Sequence, residues 1–217
     1  MAEKIYKSQL PACPLVDASI WSLLFANDSF PSATNEPAFV DSETGYTVTR
    51  GQLRSLTLSL AWGLRTHLLK LGGPRLTRGS TIMIFSPNTI AWPVMLFGSI
   101  AAGFKCTLAN SSYTPPELAH QWKDSQADLI FVHPALLQVT LDMFTLVKIS
   151  PEDFKTRIVL ATHGLTAGVP SGFFTMEDFI GKGSLSQEEK FDGPDANETA
   201  LLCYSSGTTG QPKGVEV

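Results

Sequence analysis

Several features that define common protein classes are missing from this sequence. The three cysteines, Cys13, Cys106 and Cys203, are odd in number and far apart, which favours free thiols over a disulfide framework. The four histidines are scattered along the chain without the spacing of metal ligands. These absences argue against a disulfide-stapled secreted module and against a zinc-finger type of site.

An excess of positive charge and a long hydrophobic run are also absent. The net charge is −4, and a field of that sign repels phosphate backbones, so no nucleic-acid partner is expected. The most apolar run, residues 90–104, is too short to span a bilayer and contains Pro93 and Gly98. The N-terminus has no apolar segment typical of a secretory signal. We therefore expect an intracellular protein, cytoplasmic by default, with no transmembrane segment.

Apolar strands alternate with helical patterns through the middle of the chain. Helices are predicted at 51–71, 89–102, 114–125 and 134–147, and strands at 80–85, 104–108, 128–132 and 157–161. Such alternation at short spacing indicates an α/β fold, with a doubly wound, mostly parallel sheet flanked by helices. Residues 86–88, Ser-Pro-Asn, are expected to form the entry of the second helix, and Thr114 and Glu117 have the spacing of a capping box at the start of the third.

One segment near the end of the sequence, residues 204–214, reads YSSGTTGQPKG, and we call it the phosphate loop. Its glycines allow sharp bends and expose consecutive backbone N–H groups. A concave set of such donors, with hydroxyls and one cation added, suits a polyphosphate. The side chains that supply these donors are Ser205, Ser206, Thr208, Thr209 and Lys213.

The phosphate loop differs from a Walker-type P-loop. Pro212 precedes the lysine and Gly214 follows it, where the Walker pattern requires Gly-Lys-Ser/Thr. A strand, not a helix, is predicted next, so no helix N-terminus would face the phosphate. Composition alone leaves open the alternative of a flexible surface loop between two strands.

The phosphate loop resembles the signature of the adenylate-forming superfamily, which includes acyl-CoA synthetases, firefly luciferases and peptide-synthetase adenylation domains. The match covers every position from Tyr204 to Val215. Gly210 and Gly214 would supply flexibility, and Pro212 would shape the exit of the loop. The resemblance implies that the ATP phosphates contact Ser205, Ser206, Gly207, Thr208, Thr209 and Lys213.

A second segment, ANSSYTPPELAHQ at residues 109–121, is similar to the ANPxYTxxELxHQ segment of the 4-coumarate–CoA ligase and luciferase branch. Ser111 replaces the usual proline of that pattern. We interpret His120, within the segment, as a helix-face or packing residue and not as a catalytic one. Further segments that follow the same branch lie at residues 45–53, 86–88 and 98–103.

The resemblance implies a function in two steps: attack of a carboxylate on the α-phosphorus of ATP, then displacement of AMP by the thiol of CoA. It implies ATP and Mg²⁺ as cofactors of the full-length enzyme, and a carboxylic acid and CoA as its partners. In the family the adenine-binding, magnesium-binding and mobile C-terminal elements follow the phosphate loop. No catalytic and no metal-binding residue is therefore assigned to this chain, and further downstream domains are expected in the intact parent.

Two hypotheses follow for the chain itself. In the first it is the N-terminal, ATP-phosphate-binding portion of an AMP-forming acyl-CoA ligase, inactive alone, whose parent is cytoplasmic or peroxisomal. In the second it is a non-catalytic remnant or interaction module that keeps the fold. The acid substrate stays open among aryl, fatty and polyketide-like acids.

The predicted organisation divides the chain into four parts. Residues 1–35 form an N-terminal arm with one short helix, and 36–180 form an α/β subdomain. Residues 181–199 form a polar linker, in which Glu188 is expected to be solvated. Residues 200–217 are a strand and the phosphate loop opening a second, truncated subdomain, with Cys203 as a small buried residue of that strand.

Overall fold

The computed structural model describes residues 9–11, 16–25, 34–165, 168–205 and 212–217. Strands in these residues form two sheets. The strands are β1 (Pro37–Val40), β2 (Thr47–Thr49), β3 (Thr81–Phe85), β4 (Lys105–Ala109), β5 (Leu129–Val132), β6 (Ile158–Leu160), β7 (Phe174–Thr175), β8 (Leu201–Ser205) and β9 (Lys213–Glu216).

The helices of the described residues flank the larger sheet. The α-helices are α1 (Ile20–Phe25), α2 (Arg50–Trp62), α3 (Ala91–Ala101), α4 (Pro115–Asp124), α5 (Leu137–Leu146) and α6 (Pro151–Lys155). Short 3₁₀ turns lie at Leu69–Leu71, Pro134–Leu136, Met176–Asp178 and Gly193–Asn197.

The larger sheet has the strand order β7-β6-β5-β3-β4-β8-β9. Its neighbouring strands are parallel, except that β9 runs antiparallel to β8. The chain passes from β3 to β4 on one side and then crosses to β5 on the other side of β3. The prediction of a doubly wound, mostly parallel sheet is thereby confirmed. Strands β1 and β2 form a separate antiparallel pair.

Side chains of β3 alternate between the two faces of the sheet, as the pleat requires. Ile82 and Ile84 belong to the core cluster shared with α2 and α3, whereas Met83 and Phe85 belong to the cluster shared with α4 and α5. All four are at most 1% exposed. Since both faces are covered by helices, this strand has the continuous apolar run from which it was predicted.

The predicted long helix at 51–71 is interrupted. The α-helix α2 ends at Trp62 and continues as a π-helical turn, Gly63–His67. A Cβ atom on Gly63 would lie 2.6 Å from Cβ of Phe179, so only glycine allows the two segments to approach this closely. The predicted stop is confirmed at Gly72, whose φ of 86° is left-handed. Helix α6, β7 and the turn Gly193–Asn197 were not predicted.

Two expectations about burial were wrong. Glu188 was expected to be solvated but is 5% exposed. Its Oε1 accepts hydrogen bonds from the Ser22 hydroxyl at 2.8 Å and from Lys190 Nζ at 2.6 Å, which compensate the buried carboxylate. Cys203, expected to be buried, is exposed, because β8 lies near the edge of the sheet, where β9 beside it is exposed along its whole length.

The N-terminal segment contributes to the core through its predicted short helix. On α1, Trp21 is 0% exposed and its indole N–H donates to the Thr57 hydroxyl on α2 at 3.0 Å. The division into an arm, two subdomains and a linker stays a prediction. No helix of the described segments has the length and apolar character needed to cross a membrane.

Candidate functional site

The ends of the phosphate loop are brought together by β8 and β9. In the antiparallel register of these strands, Tyr204 pairs with Gly214 and Ser205 pairs with Lys213. Two predicted phosphate contacts, Ser205 and Lys213, are therefore neighbours at the closed end of a hairpin. The other four, Ser206, Gly207, Thr208 and Thr209, lie outside the described residues.

Lys213 is an exposed cation at the start of β9. None of the ion pairs within the described segments involves it. A lysine without a carboxylate partner keeps its full charge available for a ligand, and it binds phosphate as a compact point charge.

Tyr204 packs over the glycine that faces it in the hairpin. A Cβ on Gly214 would lie 3.1 Å from Cζ of the Tyr204 ring, so the glycine lets the ring lie close to β9. The Tyr204 hydroxyl donates to Oδ2 of Asp124 on α4 at 2.5 Å. The pKa of Tyr204 is above its ordinary value. The first cause is burial, which disfavours the phenolate, and the second is the hydrogen bond from the phenol to the Asp124 carboxylate. The side chain therefore stays a neutral phenol beside the loop.

His120, also on α4, contacts the other end of the loop. Its Nε2 lies 2.9 Å from the Pro212 carbonyl oxygen. Because a carbonyl oxygen can only accept, Nε2 carries the proton and donates it. The imidazole also meets the Tyr204 ring edge to face, with ring centroids 6.5 Å apart. The interpretation of His120 as a helix-face residue agrees with this position.

The start of α4 is fixed by the predicted capping box. The Thr114 N–H donates to Oε2 of Glu117 at 2.8 Å, and the Thr114 side chain accepts from the N3 backbone. The pKa of Glu117 is below its ordinary value, first through the hydrogen bond from the Thr114 hydroxyl and then through the backbone N–H. The sequence match at residues 109–121 therefore covers the helix that faces the phosphate loop.

Two clefts open beside the hairpin. One, of about 370 Å³, lies between α4 and the hairpin and is lined by Tyr113, His120, Tyr204 and Pro212. The second, of about 580 Å³, lies at the carboxyl ends of β3 and β4, the edge at which open α/β sheets bind ligands. Its polar lining includes Ser86, Asn88, Asn110 and Ser111.

Metal-ligating residues do not cluster in the described segments: no group of three His, Cys, Asp or Glu side chains could hold an ion there. The magnesium ion that the resemblance implies is not assigned to any of the described residues.

Sequence reasoning missed Asp124 as a residue of the site. The spacing of His120 and Asp124, four residues apart on a predicted helix, indicates that both share one face. Nothing in the sequence shows that this face meets the phosphate loop, because the partner residues are 92 and 80 positions away.

Known proteins with similar sequences include plant CoA ligases. The chain is 30% identical to 4-coumarate–CoA ligase 5 of Oryza sativa subsp. japonica, over 97% of this chain but 35% of that enzyme. It is 32% identical to peroxisomal OPC-8:0-CoA ligase 1 of Arabidopsis thaliana, over 82% of this chain and 29% of that enzyme. The chain thus spans about a third of the length of these relatives.

Solved structures show the same fold. A red-emitting luciferase from Phrixothrix hirtus superposes with a TM-score of 0.75 over 97% of this chain and 48% of that one, at 21% identity. The family model described as AMP-binding enzyme matches residues 29–217, a range that contains the whole phosphate loop. The chain therefore belongs to the AMP-binding enzyme family, whose members include the adenylate-forming CoA ligases.

Proposed function

We propose that this chain is the ATP-phosphate-binding portion of an AMP-forming acyl-CoA ligase. The observation that carries the proposal is the pairing of Ser205 with Lys213 at the closed end of the β8–β9 hairpin. This pairing brings a hydroxyl and a cation, which forms no ion pair within the described residues, to the mouth of a loop whose sequence is rich in glycine and threonine. When bound, ATP would supply the α-phosphorus that the carboxylic acid attacks.

The residues of this chain would bind and orient the nucleotide. Lys213 would neutralise part of the triphosphate charge, and Ser205 would donate from the opposite strand. Each hydrogen bond to a charged group contributes roughly 1.5–3 kcal/mol. The neutral Tyr204 phenol places no anion against the phosphates. Ser206, Gly207, Thr208 and Thr209 stay predicted phosphate contacts.

The other reactants are proposed for a longer protein that contains this chain. Mg²⁺ and CoA are expected as the metal and the co-substrate, on the strength of the family. Two relatives named for CoA ligation, one for 4-coumarate and one for OPC-8:0, support a carboxylic acid as the activated substrate. Neither name identifies the acid that this protein would activate. The cellular location of the protein also stays a prediction.

The proposal is tested by titrating the chain with ATP in a calorimeter. Lys213→Ala should weaken ATP binding by about tenfold or more, because one hydrogen bond to a charged group is lost. Lys182→Ala is the matched control, since Lys182 is an exposed lysine in the segment before β8 and its loss changes the net charge equally. Equal affinities of the two variants would contradict the role of Lys213.

A pyrophosphate-release assay separates the two hypotheses for the chain. With ATP, Mg²⁺ and a panel of aryl and fatty acids, the chain alone should release no pyrophosphate above background. Robust release would show that it is competent without further residues. ATP binding without release supports a binding portion, whereas no ATP binding at all supports the non-catalytic remnant.

A further inference from the structure

Helix α4 contacts both ends of the phosphate loop from a single face. His120 and Asp124 are one helical turn apart, so their side chains lie side by side. His120 donates to the carbonyl of Pro212, on the exit side of the loop, at 2.9 Å. Asp124 accepts from the hydroxyl of Tyr204, on the entry side, at 2.5 Å.

We propose that His120 and Asp124 are positioning residues, which hold the two ends of the phosphate loop so that Ser205 and Lys213 meet a polyphosphate in a fixed geometry. We call this pair of hydrogen bonds the α4 clasp. The proposal rests on the proposed function and deepens it, because neither residue is itself a predicted phosphate contact.

The contacts lie next to the groups that they would position. Pro212 precedes Lys213. Because proline has no N–H, its carbonyl is the only backbone group through which it can form a hydrogen bond. Tyr204 precedes Ser205, and its ring also covers Gly214 on the opposite strand. The His120 bond therefore holds the backbone, and the Asp124 bond the side chain, of a residue directly before a proposed phosphate contact.

Positioning matters because an ordered site loses less conformational entropy on binding. Immobilising a side chain or loop at the moment of association weakens affinity, and prior ordering removes that loss. The clasp also engages the Pro212 carbonyl with a donor. With His120 bound to it, the Pro212 carbonyl oxygen does not compete with phosphate for the Lys213 ammonium, and it repels a bound phosphate less.

The imidazole arm of the clasp is tested with inorganic tripolyphosphate and ATP as probes. His120→Leu removes the donor and should weaken both affinities by about threefold to tenfold, the effect of one neutral hydrogen bond. His120→Gln places an amide N–H near the position of Nε2 and should restore affinity to within about twofold. Gln138→Leu, which replaces an exposed neutral residue on α5, is the matched control.

The carboxylate arm separates positioning from simple electrostatics. Removing a negative charge near an anion site should strengthen anion binding if charge alone matters. Asp124→Ala loses both the charge and the acceptor, and the proposal requires that it bind tripolyphosphate more weakly. Asp124→Asn keeps an acceptor for Tyr204 without the charge, and it should bind as tightly as the unsubstituted chain or more tightly. Tighter binding by Asp124→Ala would overturn the proposal.

Amide hydrogen exchange of β9 without ligand gives a readout that is independent of nucleotide binding. The amides of Lys213–Glu216 should exchange faster in His120→Leu and at the original rate in His120→Gln, with thermal midpoints unchanged. Unchanged exchange in His120→Leu would refute the clasp. Faster exchange with unchanged affinity would refute its role in binding. If the unsubstituted chain binds neither probe, the proposed function fails, and the exchange rates alone decide whether His120 fixes β9.

Discussion

The amino and carboxyl edges of the parallel sheet differ in whether their cations form ion pairs with carboxylates of the described residues. Before β3, the Arg78 guanidinium contacts Glu189, Asp195 and Glu198 at 3.2, 3.0 and 2.5 Å. At the opposite edge of the sheet, Lys213 takes part in none of the ion pairs of the described segments. The Arg78 cation at the amino end is thus paired within the fold, whereas Lys213 at the carboxyl end forms no ion pair with the described part of the chain.

Arg78 joins two distant segments of the chain at the amino end. It reaches from the turn before β3 to residues 189–198, and its guanidinium lies 4.1 Å from the centroid of the Phe191 ring. The pKa of Arg78 is above its ordinary value, first through the hydrogen bond from its guanidinium to Glu198. We call Arg78 and its three carboxylates the amino-end network. The network ties residues 189–198 to the turn before β3, whereas the proposed phosphate contacts lie at the opposite edge.

The largest effect is expected from substitution of the buried carboxylate of Glu188, which lies beside the amino-end network. Glu188→Ala should lower the free energy of unfolding by about 1–3 kcal/mol, because the Ser22 hydroxyl and the Lys190 ammonium lose their acceptor. Affinity for tripolyphosphate should not change. Thermal and urea unfolding measure the first quantity, and calorimetric titration measures the second.

The matched variant for that position is Glu188→Gln. Its amide oxygen can still accept from Ser22, so its loss of stability should be smaller than that of Glu188→Ala. If either variant weakened tripolyphosphate binding as much as Lys213→Ala, the two edges would be coupled and the comparison would fail.

A smaller effect is expected from Arg78→Met, which removes the cation of the amino-end network. Three carboxylates are then left near one another, and the thermal midpoint should fall by a few degrees. Since Arg78 is exposed, added salt should screen that repulsion and shrink the difference. Arg75→Met, at an exposed arginine of the same turn, is the control. A difference that persists in high salt would show that packing on Phe191 matters more than charge.

The smallest effect concerns two histidines at the carboxyl ends of β5 and β6. Burial holds the pKa of His133 and of His163 below the ordinary value of 6.5, and Glu177 partly opposes this at His163. The unfolded chain therefore binds more protons as the pH falls through about 6.5, and stability is lost from there down to the folded pKa values.

We therefore expect the thermal midpoint to decrease from about pH 8 to about pH 5.5. The double variant His133→Gln with His163→Gln should show a flatter profile over the same range. In His133 the Nδ1 atom accepts from the Ala135 N–H at 3.3 Å, a bond that protonation of Nδ1 would abolish. An equal slope in both proteins would mean that other groups cause the acid sensitivity.

Local sequence patterns were sufficient for the central elements. The apolar strands β3 and β5, the helix α3 and the capping box of α4 depend on neighbouring residues, and all were predicted. A strand after the phosphate loop was also expected, because an alternating segment begins at Gly214, but its antiparallel pairing with β8 was not predicted. Where the periodicity of apolar side chains and the cap residues indicate the same element, interactions within one segment are enough to determine it.

Features that depend on distant contacts could not be predicted in this way. The burial of Glu188 requires Ser22, which lies 166 positions away. The π-helical turn after Trp62 lies where Gly63 meets Phe179. The contacts of His120 and Asp124 depend on which face of α4 meets the hairpin, and one sequence holds no signal of that choice.

The capping box of α4 has a consequence for how this protein tolerates insertions and deletions. Thr114 and Glu117 set the residue at which the helix starts, and His120 follows one turn later. Each residue added or removed between them would rotate both arms of the clasp about the helix axis by about 100°. Length changes of one residue here should be far more damaging than most substitutions, even though the segment is short and partly exposed.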